Sequence, residues 1–361
     1  MQRSTLLTFS WLNILSKERY NALCTHFGSL DKALSELDEA VLKELGCRND
    51  TILRTLNRLE EFDPAAYEKE LTKRGLAVLS LEDEQYPRAL RHIGDPPVFL
   101  MYRGDLSLTE QPCLAIVGTR EMSSYGKRVT QTMVPDVVRA GMITVSGLAY
   151  GIDREVAEET LHAEGKTIAV LGHGLAMIHP RQHAQLAEDI VEQGGLLLSE
   201  YALDEQPNQY TFPARNRIIA GLSLATVVIE AGKQSGSLIT ADLALEYGRD
   251  VFAVPGDIFD PTFEGSHALI AGSRAKLVTS AQDILRELGV VAPETRTKDP
   301  DAAFDSMEEE LLYHALTTMP QSPDDLSTKI KLDAAIMSAT LTVLELKGLV
   351  KNVGGGRWVK N

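Results

Sequence analysis

The chain has 361 residues, 44% of them hydrophobic and 24% charged, an ordinary globular composition with room for two or three domains of roughly 100–200 residues each. With 51 Asp and Glu against 36 Lys and Arg, the net charge of −15 excludes a protein held to nucleic acid by bulk charge, so any polyanion site must be local. Cys24, Cys47 and Cys113 form no CxxC pair, which excludes a disulfide framework or zinc knuckle, and no apolar run approaches the ~18–20 residues of a membrane span.

At the N-terminus, MQRSTLLTFSWLNILSKERY sets a basic residue before apolar ones. Ser10, Asn13 and Ser16 interrupt that run and no small-residue cleavage site follows, so a cytoplasmic location is expected. Residues 1–75 are predicted to form a small helical domain. Leu6, Leu7, Trp11, Leu12, Ile14 and Leu15 recur at helical spacing, as do Ile52, Leu53, Leu56 and Leu59. The main domain, residues 76–288, opens on a connecting segment rich in turn signals: Tyr86-Pro87, Asp95-Pro96-Pro97 and Arg103-Gly104-Asp105. From residue 113, strand-length apolar runs alternate with amphipathic helices: CLAIVG, MITVSG, TIAVLG, GLLLSE, ATVVIEA and DVFAVPG. Such runs are buried on both faces, so a Rossmann-like α/β parallel sheet is expected, with ligands at the carboxyl ends of its strands. Residues 289–304 carry Pro and charge without periodicity and are expected to be a linker. Residues 305–361 show helices around 306–317, 323–330 and 334–347 and then a hairpin, LVKNVGGGRWVK, which is a winged-helix order.

Several strand-end segments carry chemistry. The first strand ends in Gly118-Thr119-Arg120, followed by Ser123, Tyr125 and Gly126 at a helix start. A turn into a helix N-terminus collects free N–H groups and partial positive charge, which suits a phosphate, and Arg120 adds a charge-assisted contact; the alternative is a structural turn with a solvated arginine. Arg120 replaces the second glycine of G-x-G-x-x-G, which disfavours a dinucleotide, and no cofactor is expected. The second strand ends in Ser146-Gly147, with Asp153 placed to cap or fix the turn. The fifth ends in Glu230-Ala231-Gly232-Lys233-Gln234-Ser235-Gly236-Ser237, which offers hydroxyls and backbone donors at a helix start, with Lys233 as a mobile charge. Pro213 is expected to set the start of a helix bearing Arg215, Asn216 and Arg217, with the arginines in a first turn that disfavours cations; a ligand or partner carboxylates would explain them. Phe212 and Tyr210 offer faces for stacking bases, or close the core. His173, His179 and His183 lack a carboxylate spaced to complete a metal site. Asp153 and Glu230 are the only carboxylates at converging strand ends, and turn-fixing explains both more simply than acid–base work.

Together VGTREMSSYG, SGLAYGID, IAVLGHGL, FPARNRIIAGLS, VIEAGKQSGSLITADLALEYGRDVFAVPG and GSHALIAGSRA resemble, over roughly residues 80–285, the DNA-processing protein A (DprA/Smf) family. The helical N-terminal domain resembles that family's sterile-alpha-motif-like domain and the C-terminal one its winged helix. The resemblance implies single-stranded DNA binding, a homodimer, and transfer of the strand to the recombinase RecA in natural transformation. It makes Arg120 a DNA contact and Arg181 a second basic contact, and it places GSHALIAGSRA near the dimer surface. His179 and His183 stand where the family commonly has a Tyr-Pro pair and an Asn, and His267 replaces another usual Asn. The rival class is an enzyme of the lysine-decarboxylase-like group, which hydrolyses nucleotide N-glycosidic bonds. Its P-G-G-x-G-T-x-x-E signature is absent, and Thr240 stands in the area of its catalytic Glu. A nucleotide-sensing regulator using the winged helix on duplex DNA is a third reading. Against it, Lys329, Lys331, Lys347, Lys351, Arg357 and Lys360 are outnumbered by Asp305, Glu308, Glu309, Glu310, Asp324, Asp325, Asp333 and Glu345.

Overall fold

A computed structural model describes residues 1–290, 304–317, 320–330 and 332–360. These fall into two compact units, residues 1–290 and residues 304–360. The predicted linker 289–304 lies, but for its ends, outside the described residues. No helix among the described residues is long and apolar enough to cross a membrane.

The first unit begins with helices α1 (Arg3–Leu12), α2 (Lys17–Phe27), α3 (Leu30–Ser35), α4 (Glu39–Glu44), α5 (Asn49–Glu61) and α6 (Pro64–Lys73). Strand β1 (Ala77–Ser80), helix α7 (Arg88–Arg91) and strand β2 (Phe99–Gly104) follow. Five βα units come next: β3 (Cys113–Val117) and α8 (Ser124–Arg139), β4 (Ile143–Ser146) and α9 (Ile152–His162), β5 (Thr167–Leu171) and α10 (Ala184–Glu192), β6 (Leu196–Ser199) and α11 (Thr211–Leu222), β7 (Ala225–Val228) and α12 (Ser237–Glu246). Then come β8 (Asp250–Ala253), α13 (Glu264–Ala271), β9 (Lys276–Leu277) and α14 (Ala281–Glu287).

All nine strands join one sheet in the order β1-β2-β6-β5-β4-β3-β7-β8-β9. From β6 to β9 the sheet is parallel, and β1 and β2 add an antiparallel edge. The burial pattern explains the continuous apolar runs. In β3, Cys113, Ala115 and Val117 face one core, while Leu114 and Ile116 face the other, where Met133 and Val137 of α8 pack. The segment expected to be a mere connection contains β1, α7 and β2, which corrects the sequence reading. Leu100 faces the sheet core, whereas Phe99 and Met101 face Phe9, Leu23 and Leu42 of the N-terminal helices. Those helices thus share one apolar core with β1 and β2.

In the second unit, α15 (Met307–Ala315), α16 (Pro323–Lys329) and α17 (Ala334–Leu346) precede the antiparallel pair β10 (Val350–Gly354) and β11 (Arg357–Lys360). The elements fall where the sequence places them. Leu312, Tyr313, Leu326, Met337, Leu341 and Trp358 form its core.

Candidate functional site

Strand order fixes where a ligand binds. The chain runs outward from β3 through β4 and β5 to β6, then returns to lay β7 against the other side of β3. That reversal opens a crevice beyond the carboxyl ends of β3 and β7, where open α/β sheets bind ligands. A groove of about 370 Å³ lies there, between the Gly118–Glu121 turn, the start of α11 and the start of α12. Of the predicted residues it is lined by Gly118, Thr119, Arg120, Phe212, Arg215, Asn216, Ser235, Gly236 and Ser237.

The phosphate site expected at the start of α8 is already filled. Glu230, fully buried at the end of β7, accepts hydrogen bonds from the Ser123 backbone N–H at 3.1 Å and its hydroxyl at 2.8 Å. The Ser123 hydroxyl in turn accepts from Gly126 N–H at 3.0 Å, capping α8. Gly126 must be glycine because a Cβ there would sit 2.1 Å from a Glu230 carboxylate oxygen. The helix N-terminus does bind an anion, but the anion is the chain's own. Ser123 and Gly126 are therefore structural, and Tyr125 turns away to donate from its hydroxyl to Pro255 O at 2.8 Å.

The end of β4 is equally committed. Ser146 is buried and donates to Ile116 O at 2.9 Å. Gly147 donates its N–H to Asp153 Oδ2 at 3.1 Å and accepts at its carbonyl from Arg215 Nη1 at 2.8 Å, and Arg215 also donates to Val170 O. A Cβ on Gly147 would collide with the Arg215 guanidinium. Ser146 and Gly147 thus lie behind the groove, not in it. Burial raises the Asp153 carboxyl, although Arg215 opposes that shift. Burial lowers the Arg215 guanidinium to about 10, opposed by Asp153 and reinforced by Arg120. Arg215 remains a cation at neutral pH and forms part of the groove floor.

Helix α11 begins at Thr211, two residues earlier than Pro213 suggested. Pro213 sits inside the first turn, where no N–H is needed. Residues two apart on a helix point to different sides, so Arg215 and Arg217 separate. Arg217 pairs with Glu200 and with Asp95 at 3.4 Å, and it does not line the groove. Partner carboxylates, not a ligand, explain it. Burial raises the Glu200 carboxyl, which Arg217 opposes.

What remains open toward solvent is Arg120. It is exposed, forms no ion pair among the described residues, and holds its guanidinium 5.1 Å from the centre of the Phe212 ring. Opposite, α12 starts at Ser237, whose N–H donates to the Ser235 hydroxyl at 3.4 Å. The Ser235 and Ser237 hydroxyls bond each other at 2.7 Å, and Asn216 Nδ2 donates to Gly236 O at 3.2 Å. Lys233 is exposed beside this loop but outside the groove lining, as is Arg181, on a turn whose Gln182 accepts from the Tyr150 hydroxyl at 2.9 Å. Sequence reasoning missed Glu121, Gln234 and Ile239, which also line the groove.

The three histidines do not converge as ligands, and no cluster of metal-binding side chains occurs among the described residues. His173 is buried, its Nδ1 2.9 Å from Gly174 O, and its Nε2 accepts from His179 N–H at 3.2 Å. Burial lowers its pKa. His183 is buried with Nδ1 2.9 Å from Leu148 O.

Fold and site together define a Rossmann-like protein with a strand-end binding groove, carrying a winged helix as a second unit. The family model for DNA recombination-mediator protein A matches residues 77–289, and that for the DprA winged helix domain matches residues 292–356. The DNA processing protein DprA of Streptococcus pneumoniae is 44% identical over 242 residues, covering 67% of this chain and 83% of its own. An X-ray structure of that species' DprA covers 80% of this chain and 98% of its own, with 37% identity and a TM-score of 0.68. The structure of DNA processing protein A from Helicobacter pylori, which concerns its single-stranded DNA binding mode, covers 58% and 95% with 32% identity and a TM-score of 0.53. The chain belongs to the DprA/Smf family.

Proposed function

We propose that this chain binds single-stranded DNA in the groove at the β3–β7 reversal. The observation that carries the reading is Arg120: an exposed cation with no ion pair among the described residues, seated on an aromatic face and opposite a helix start whose serine hydroxyls line the groove. A phosphate placed between Arg120 and the α12 N-terminus meets a charge-assisted donor, the Ser235 and Ser237 hydroxyls and the positive end of the helix dipole. A base beside it meets Phe212. Glu121 and Asp153 also line the groove, so binding rests on placed donors rather than on net charge. In this reading the protein protects incoming strands and loads the RecA recombinase in recombination and natural transformation, as a cytoplasmic homodimer that uses α13 and the turn after it. It needs no cofactor. In this reading it is not an enzyme: Asp153 and Glu230, the carboxylates of the converging strand ends, are both held by backbone N–H groups, and Glu121 is exposed to solvent.

The test is fluorescence anisotropy with equal-length single and double strands across a salt series. Single strands should bind more tightly, with a log–log slope of about −0.7 per neutralised phosphate. Arg120→Ala should bind roughly tenfold to a hundredfold more weakly while melting like wild type. Equal binding of duplex, or an unaffected Arg120→Ala protein, sinks the reading. Release of free base from nucleoside monophosphates, lost in Glu230→Gln, would establish an enzyme instead.

A further inference from the structure

We propose that Phe259, on the turn after β8, is a second stacking surface for single-stranded DNA, taking a base from the strand as it leaves the groove. This rests on the groove reading above. Phe259 is 88% exposed and its neighbour Ile258 77%; among the described residues no large apolar side chain is more exposed than Phe259. The turn is held rigidly. Asp257 Oδ1 accepts from Phe259 N–H at 2.9 Å, and Asp257 O accepts from Asp260 N–H at 3.1 Å. Asp260 Oδ1 takes both the N–H and the hydroxyl of Thr262, at 2.9 and 2.7 Å. An aromatic ring presented on a fixed backbone loses little freedom on binding.

The turn is continuous with the groove wall. Gly265 N–H donates to Ala231 O at 2.8 Å, and a Cβ on Gly232 would lie 3.4 Å from Pro261 O. The loop from Ala231 through Gly232 and Lys233 runs on into Gln234, Ser235 and Gly236, which line the groove. Lys233 is exposed and forms no ion pair among the described residues, so a cation stands on the loop between the groove and the ring. Asp257 and Asp260 flank the ring and oppose a phosphate there. The contact is therefore with a base face, which carries no net charge, while Lys233 serves the backbone. Base stacking on an aromatic side chain is strong enough, and indifferent enough to sequence, to extend a track of this kind.

The proposal has a signature that a structural role lacks. Wild type, Phe259→Ala and Phe212→Ala are titrated in the full chain with single strands of about 6 to about 30 nucleotides, and with long strands whose outer nucleotides lack bases. Phe259→Ala should match wild type on the shortest strands and bind roughly tenfold more weakly on the long ones. Its salt slope should stay unchanged, and the difference from wild type should vanish on the abasic strands. Phe212→Ala should weaken binding at every length. Equal binding of Phe259→Ala and wild type at all lengths overturns the proposal. So does a change of molecular mass on light scattering, which would assign the ring to a second copy of the chain. If Phe212→Ala and Arg120→Ala also bind normally, the groove reading itself has failed.

Discussion

Two helix starts follow the strands of the β3–β7 reversal, and by sequence they look alike. Both α8 and α12 follow a strand, a glycine turn and a serine. At α8, the Glu230 carboxylate from the neighbouring strand takes the Ser123 N–H and hydroxyl. At α12, no carboxylate among the described residues takes the first N–H groups, which bond to the loop's own Ser235 and Gly236 oxygens, and Ser235, Gly236 and Ser237 line an open groove. A helix N-terminus is thus only an offer to an anion. Whether it becomes a hinge of the fold or a ligand site depends on whether the chain supplies a carboxylate of its own.

The strongest way to break this contrast is to remove that carboxylate. Glu230→Ala leaves the partly buried Ser123 donors unpaired and opens a cavity where the fully buried Glu230 side chain stood. A cost of about 3 kcal/mol in stability is expected, from lost hydrogen bonds to a charged group and an unfilled volume. Urea titration of the first unit's unfolding measures it. A loss under about 0.5 kcal/mol, the range of ordinary surface changes, would mean that Glu230 does not hold the turn.

A second variant sharpens the contrast by making α12 resemble α8. Ser235→Asp replaces the hydroxyl that accepts from Ser237 N–H with a carboxylate at the α12 start. The fold should gain up to about 1 kcal/mol from the helix dipole, since the side chain is only partly buried. Binding of single-stranded DNA should fall about tenfold, because the new charge opposes a phosphate at the site proposed for it. A Ser235→Asp protein that binds as well as wild type would move the phosphate elsewhere in the groove.

Much of this architecture is legible in the sequence, because strands buried on both faces must be continuous apolar runs. CLAIV and ATVV read as core strands for that reason. β1 and β2 were hidden by the turn signals around them, and their apolar character is shared between two cores rather than concentrated in one run. At the site, Arg120, Phe212 and the Ser235-Gly236-Ser237 turn are legible as strand-end residues, and they line one groove. The filling of α8 is not, since Glu230 lies 107 residues from Ser123 along the chain and only the pairing of β3 with β7 brings them together. The separation of Arg215 from Arg217 was legible, because residues two apart cannot share a helix face.

The smallest expected effect extends the contrast to the end of β5, where a neutral group rather than an anion closes the turn. His173 Nε2 accepts the His179 N–H, and only an imidazole without a proton on that nitrogen does so. Its pKa lies below the ordinary 6.5 chiefly because burial disfavours the cation. With the folded value depressed, the unfolded chain binds the extra proton first as the pH falls. Stability is therefore full above about pH 6.5 and declines below it, until the folded protein also protonates. One group changes stability by at most about 1.4 kcal/mol per pH unit. The raised pKa values of Asp153 and Glu200 work in the opposite direction in acid, so the whole-protein profile does not isolate the histidine. The difference between wild type and His173→Gln does, because glutamine keeps an acceptor but has no proton to gain. Urea midpoints measured from pH 7.5 to pH 5 should converge as the pH falls, the wild type losing the larger share. Parallel profiles would mean that protonation of His173 is not what loosens the β5 turn.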